Sequence, residues 1–161
     1  MSDWLEVGQE APPFRLSDAQ GQPVSLAQFL GKPVVLYFYP KDDTPGCTKE
    51  ACAFRDASAQ LAEWGAVVLG VSPDDSASHA RFRDKYSLNF PLLADPEHSC
   101  AESYGAWREK NMYGKKSWGV QRSTYLIDAQ GKIAQVWKKV SVDGHDQQVL
   151  EALRALGAAQ K

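Results

Sequence analysis

Six consecutive apolar or aromatic residues, Val34-Val35-Leu36-Tyr37-Phe38-Tyr39, run without a polar interruption and stop at Pro40. A run of this kind, with no alternation, belongs to a strand covered on both faces, and proline ends it by withholding a ladder donor. From Thr44 to about Trp64 the pattern becomes helical, with Ala51, Phe54, Ala57 or Ser58, Leu61 and Ala62 on one stripe and Gly65 as the stop. Ala66-Val67-Val68-Leu69-Gly70-Val71 is a second buried strand. Strand, helix and strand in that order make a right-handed βαβ unit with parallel strands.

Simpler elements surround this unit. Phe14, Leu16, Val24 and Leu26 flank the turn Asp18-Ala19-Gln20-Gly21 and predict a short hairpin, after which Ser25 caps a brief helix ending at Gly31. Phe82 and Tyr86 mark a helix, Pro91-Leu92-Leu93-Ala94 a short strand, and Asp95-Pro96-Glu97 the start of a helix carrying Cys100. A basic-aromatic stretch follows and reads as an irregular loop, with Trp107, Tyr113 and Trp118 as its packing or, alternatively, as lining for the approach to Cys47. Ser123 to Ile127 and Lys132 to Trp137 form a hairpin across Asp128-Ala129-Gln130-Gly131, and Val149, Leu150, Leu153 and Leu156 define a final amphipathic helix. The sum is α/β: a single-domain thioredoxin-like fold over residues 1–161 with an N-terminal β-hairpin extension. His79 and His145 fall in or beside helices without an evident partner and are expected at the surface.

Composition narrows the function. With 20 acidic and 18 basic residues the formal charge is -2, and Arg108, Lys110, Lys115 and Lys116 form only a short mixed stretch, read as a solvated face. That excludes a phosphate-tracking surface, so no nucleic-acid partner is expected. No run approaches the ~20 apolar residues of a membrane span. The first 14 residues have acidic groups and prolines where a signal peptide has basic and then apolar residues, which predicts a cytoplasmic protein. In that reducing setting three cysteines read as buried, metal-binding or catalytic rather than as structural disulfides.

The segment joining the first buried strand to its helix is Pro40-Lys41-Asp42-Asp43-Thr44-Pro45-Gly46-Cys47-Thr48-Lys49-Glu50-Ala51-Cys52. Thr44 and Pro45 read as N-cap and first helical residue: a threonine oxygen accepts a free amide, and proline has no amide to leave unpaired. Cys47 is then the third helical residue, where unpaired N–H groups and the positive end of the helix dipole favour an ionised sulfur. One exposed helix end supplies only about 0.3–1 kcal/mol, so a cation is also required. Asp42 and Asp43 act against it unless they point away. Arg122, at the start of the strand opening with Ser123, is the candidate cation; a surface arginine paired with a carboxylate is the competing reading.

Pro40-x-x-x-Thr44-x-x-Cys47 resembles the active-site motif of the peroxiredoxins, and Cys47 with Cys52, four residues between them, is similar to the Q-type, or bacterioferritin comigratory protein, subgroup. The resemblance extends over nearly the whole chain, through Val7-Gly8, Ala11-Pro12, Met112-Tyr113-Gly114-Lys115-Lys116 and Arg122-Ser123-Thr124 before Tyr125-Leu126-Ile127-Asp128. It implies a thiol peroxidase with Cys47 as peroxidatic cysteine, Cys52 as resolving cysteine and Arg122 as thiolate-stabilising arginine. It further implies that Thr44 hydrogen-bonds the peroxide, that the Gly46 and Cys47 amides hold its oxygens, and that Pro40 shields the thiolate. Hydrogen peroxide and organic hydroperoxides would be substrates and thioredoxin or a similar dithiol the reductant, with no cofactor; a monomer is expected. On an intact helix, residues five apart point about 140° away from each other, with Cα atoms roughly 8–9 Å apart. A disulfide tolerates little beyond ~7 Å, so the implied pairing requires the first turns to unwind.

Other chemistries fit the residues less well. Cys47 could be an inert core thiol, Cys52 could face the core beside Phe54, and Cys100, four residues before Tyr104, reads as buried packing. Zinc on Cys47, Cys52, His98 and Cys100 would use a wide Cys-x4-Cys spacing and waste the helix start. A phosphatase loop, Cys-x5-Arg, fails at Ala53, and a Cys-x-x-Cys pair fails at Glu50. A disulfide exchanger on the same fold and a redox-switched binding module remain as alternatives to a peroxidase.

Overall fold

The computed structural model describes residues 4–159. Its central strand is β3 (Val34–Phe38), with all five residues buried. It pairs in parallel with β4 (Val67–Ser72) on one side and antiparallel with β8 (Ser123–Ile127) on the other. Ladders along both edges make it a central strand, and a core on each face is why the run tolerates no polar residue. Alternate side chains enter different cores: Val34, Leu36 and Phe38 one, Val35 and Tyr37 the other.

Adding β1 (Arg15–Ser17), β2 (Pro23–Ser25), β5 (Leu92–Ala94) and β9 (Ile133–Trp137) completes a seven-stranded sheet in the order β2-β1-β5-β4-β3-β8-β9. The N-terminal and C-terminal hairpins therefore form as expected. On the Tyr37 face lie α1 (Pro45–Asp56), α2 (Ser58–Glu63), α3 (Ser76–Tyr86) and α5 (His145–Ala159), contributing Phe54, Leu61, Phe82 and Leu150 to the core. The other face is closed by α4 (Ser99–Ser103), through Cys100 and Ala101, and by N-terminal residues such as Ala11 and Phe14.

Several expectations need correction. The helix after Pro40 breaks at Ala57, whose N–H turns to the Ala53 and Arg55 carbonyls, so α1 and α2 are separate. Ala51, Phe54, Ala57 and Leu61 of the expected stripe are buried, but Ala62 is exposed. Leu26–Phe29 is a 3-10 turn, and the Ser25 side chain makes no cap.

The supposed irregular loop is a hairpin, β6 (Trp107–Met112) and β7 (Lys115–Val120), separate from the main sheet. It reverses at Tyr113-Gly114, both with positive φ, 55° and 78°, as a two-residue turn requires. Polar and charged residues fill more than half of the two strands, so there was no apolar alternation to detect. Trp107 packs against the core and stacks on His98 at 3.8 Å, whereas Tyr113 is fully exposed and Trp118 is 44% exposed. Neither of the latter two packs a loop.

The two histidines expected at the surface are buried. His79 lies between the Asp42 carboxylate, 2.7 Å from Nδ1, and the Leu93 carbonyl, 3.0 Å from Nε2. His145 lies between Thr124 Oγ1 at 2.8 Å and Gln148 Oε1 at 3.0 Å, with Phe54 and Trp137 rings edge-on. Burial holds the His145 imidazole below the usual histidine range. Most of these partners come from other elements, so neighbouring sequence could not reveal them.

Candidate active site

The strand-to-helix junction is held from below. Asp43 adopts a left-handed φ of 58° and brings the Lys41 carbonyl beneath Thr44, whose hydroxyl donates to it at 2.9 Å. Thr44 is the N-cap by backbone conformation and Pro45 opens the helix, but the threonine oxygen accepts no amide, contrary to the expected cap. The first helical bond runs from Thr48 N–H to the Thr44 carbonyl at 2.8 Å. The amides of Gly46 and Cys47 thus precede the ladder and face the space beyond the helix end.

Both awkward carboxylates point away from that space. Asp42 accepts from Tyr39 at 2.6 Å and Ser78 at 2.8 Å, besides meeting His79, and its own amide donates to Asp74 at 2.8 Å. Asp43 accepts from Lys85 and Tyr86, each at 2.8 Å, and these contacts hold its carboxyl below the usual carboxylate range. The network ties the junction to α3 while removing negative charge from the helix end. Asp42, Asp74 and His79 are the one group of three potential metal-donor side chains among the described residues, and it contains no cysteine. His98 instead stacks on Trp107, so the zinc quartet is not assembled.

Cys47 is 1% exposed on the first turn of α1. Arg122, just before β8, donates from Nη2 to Cys47 Sγ at 3.2 Å and from Nη1 to Glu50 Oε1 at 2.8 Å. The arginine is thus neither a lone thiolate partner nor a surface ion pair; its planar fork joins both groups. Gly46 makes this approach possible: a Cβ there would sit 3.1 Å from Nη2. Burial works against the Arg122 charge, yet Glu50 and Cys47 outweigh it, and the guanidinium is held above its usual range.

Glu50 is 1% exposed and is a functional residue that the motif spacing alone does not single out. Burial pushes its carboxyl up to about 7 despite the opposing Arg122 contact. The available signal was spacing, because residues three apart share a helix face and Glu50 therefore sits beside Cys47. Beneath them the Tyr37 hydroxyl and Glu50 Oε2 are buried without hydrogen-bond partners among the described residues. Burial, then Glu50 and Cys47, raise the Tyr37 pKa well above its usual value, so that phenol stays neutral. Gly70 leaves room for the ring: a Cβ there would lie 2.9 Å from its oxygen.

Pro40, half-buried, ends the strand run, and Thr44 and Gly46 also flank the sulfur in sequence and partial exposure. Cys52 is half-buried on the same uninterrupted helix as Cys47, and both thiols are free. Cys100 is buried in α4, where burial and then Asp95 raise its thiol pKa well above the usual value. The arrangement offers one cysteine touching a cation, one half-exposed cysteine on the same helix, and one held neutral.

Known proteins resemble this chain. The family model for the AhpC/TSA family matches residues 7–136. A putative peroxiredoxin bcp of Coxiella burnetii is 52% identical over 149 residues, 92% of this chain and 99% of that protein. The peroxiredoxin Bcp of Bacillus subtilis is 47% identical over 150 residues, 93% of this chain and 96% of that protein. A solved structure of the Xanthomonas campestris bacterioferritin comigratory protein, described in connection with its alkyl peroxide reduction activity, superposes with a TM-score of 0.89 at 38% identity, covering 94% of this chain and 99% of that one. The thioredoxin-like fold is therefore established. Over nearly its full length the chain belongs to the AhpC/TSA family, as a Bcp, or Q-type, peroxiredoxin, and it is a peroxidase.

Proposed function

We propose that this peroxidase reduces hydrogen peroxide and organic hydroperoxides at Cys47 and resolves the product through Cys52. The carrying observation is the 3.2 Å contact from Arg122 to the Cys47 sulfur at a helix start from which Asp42 and Asp43 are turned away. The Cys47 thiolate attacks the nearer peroxide oxygen and the O–O bond breaks. The leaving alkoxide or hydroxide takes a proton, and Cys47 becomes a sulfenic acid. The Cys52 thiol then displaces water from that sulfur, leaving a disulfide that an external dithiol, thioredoxin or a similar protein, reduces back to two thiols.

Thr44, with its oxygen free to accept, and the Gly46 and Cys47 amides would hold the peroxide. Arg122 would steady the negative charge and Pro40 would limit water. The alkyl peroxide activity named for the Xanthomonas campestris relative supports organic hydroperoxides as substrates. Resolution requires α1 to open, because a five-residue step along a helix sets the two Cα atoms farther apart than a disulfide spans. Opening breaks the Glu50–Arg122 and Lys49–Asp143 ion pairs, while Arg55, donating to the Tyr86 carbonyl at 2.6 Å, holds the last turn to α3. The same reading takes residues 1–161 as one domain, monomeric and cytoplasmic; no helix among the described residues is long and apolar enough to cross a membrane.

Stopped-flow peroxide consumption by wild type, Cys47→Ser and Cys52→Ser, with thioredoxin recycling, tests the assignment. Cys47→Ser should abolish turnover, and Cys52→Ser should keep the first turnover and lose efficient recycling. Full activity in Cys47→Ser would overturn the mechanism. Insulin reduction without peroxide turnover would favour a disulfide exchanger instead.

A further inference from the structure

Lys110 stands apart from the other basic residues of the β6–β7 hairpin. Lys115 and Lys116 are exposed, and Lys116 faces Glu109. Arg108 lies over the Trp4 ring and donates to the Gly105 carbonyl. Lys110 instead lays its stem along the backbone of Gly119, whose would-be Cβ is 3.7 Å from both Cδ and Cε, and donates from Nζ to the Val120 carbonyl at 2.6 Å. Val120 lies two residues before Arg122, on the same run of chain that delivers the guanidinium to Cys47. The ammonium is thus docked on the arginine's own support.

Arg122 is already engaged by Glu50 and Cys47, so the Lys110 ammonium is the positive charge of this region without an acidic partner among the described residues. Burial, and then the Arg122 charge, hold the Lys110 pKa below the usual lysine range, with Cys47 acting in the opposite direction. Among the described residues no carboxylate pairs with it, and Val120 occupies one of its three donors. Lys110 thus adds a positive charge to the stretch of chain that carries the guanidinium touching Cys47, and a fixed positive charge near a site raises encounter with anions.

We propose that Lys110 is a specificity-determining residue of the Cys47 site, favouring reactants that carry a negative charge, such as hydroperoxides bearing a carboxylate, over neutral ones of the same shape. The inference rests on Cys47 as the reacting sulfur but not on its peroxide turnover. Two readouts keep the proposals apart. Iodoacetate and iodoacetamide alkylate the same sulfur and differ by one charge, so their rate ratio at Cys47, read by mass spectrometry, measures the field without turnover. Cumene hydroperoxide and its ring-carboxylated analogue measure the same field during catalysis.

In Lys110→Met the iodoacetate-to-iodoacetamide ratio should fall about fivefold to tenfold, with the carboxylated-to-neutral ratio of kcat/KM falling alongside it. Lys110→Arg should restore both ratios. In the wild type, raising the salt should narrow the same ratios, a measurement that needs no variant. Equal losses on charged and neutral reagents in Lys110→Met, or wild-type ratios indifferent to salt, would overturn the proposal. Absent peroxide turnover in the wild type with an intact alkylation ratio would overturn the peroxide mechanism alone.

Discussion

Two buried cysteines in this protein sit near the start of a helix, and only one of them touches a cation. Cys47 is the third residue of α1 and Cys100 the second of α4; both are 3% exposed or less. At Cys47 the neighbour is a guanidinium, delivered 3.2 Å from the sulfur by the chain before β8. At Cys100 it is Asp95, whose carboxylate already accepts the Cys100 and Ala101 amides at 3.2 and 3.0 Å. The helix end that could welcome a thiolate is thus occupied by another anion. A helix start does not make a nucleophile: at Cys100 burial, and then the Asp95 charge, raise the thiol, whereas at Cys47 a cation touches the sulfur.

The contrast breaks most strongly at Arg122. Replacing it with methionine should reduce kcat/KM for peroxide by about a hundredfold to a thousandfold, the range for losing a donor to developing negative charge. A loss of under about threefold would mean that the helix end suffices and that Cys47 and Cys100 differ only in access.

Glu50 sharpens it through pH. Its folded carboxyl is raised from 4.5 to about 7, so the folded state binds more protons than the unfolded chain between those values. The stability contribution is full below about 4.5 and is lost as pH rises through about 7, a change of about 2–3 kcal/mol. Denaturant titrations from pH 4.5 to 8 should show this fall in wild type and a flatter profile in Glu50→Gln. Parallel profiles would mean that Glu50 stays ionised throughout, held by Arg122.

Asp95→Asn separates charge from burial at the other cysteine. Asparagine keeps one of the two accepting oxygens, so α4 should stand with one amide bond fewer, and because burial is the larger cause of the raised thiol, Cys100 should still alkylate at under about a hundredth of the Cys47 rate. Rapid labelling of Cys100 would make Asp95 the decisive group. The smallest effect belongs to Cys100→Ala, which should leave peroxide turnover and disulfide formation within about twofold while costing about 1 kcal/mol of stability. Lost recycling would give Cys100 a part in resolution.

Much of the frame was legible because it is written in short windows. The unbroken run of β3, the Thr44-Pro45 start of α1 and the Asp128–Gly131 turn each signal themselves within a few residues. The β6–β7 hairpin was not legible, since its two strands carry mostly polar residues without an apolar alternation. His79 and His145 looked like surface groups for a related reason. Their polar partners and apolar walls lie largely on other elements, and the sequence around each is polar.

For the site itself, the sequence by itself determined the position of Cys47 on the first turn of a helix following a buried strand, because local caps and hydrophobic period place it there. It also put Cys52 on the same helix, and with it the need for that helix to open before the sulfurs can meet. Only the tertiary structure decided which charge each cysteine meets. Arg122 is 75 residues from Cys47 along the chain. The burial of Glu50 depends on the sheet below it, and Asp42 and Asp43 are turned away by α3. Coulomb forces follow distance in space, and that distance is set by packing rather than by order along the chain.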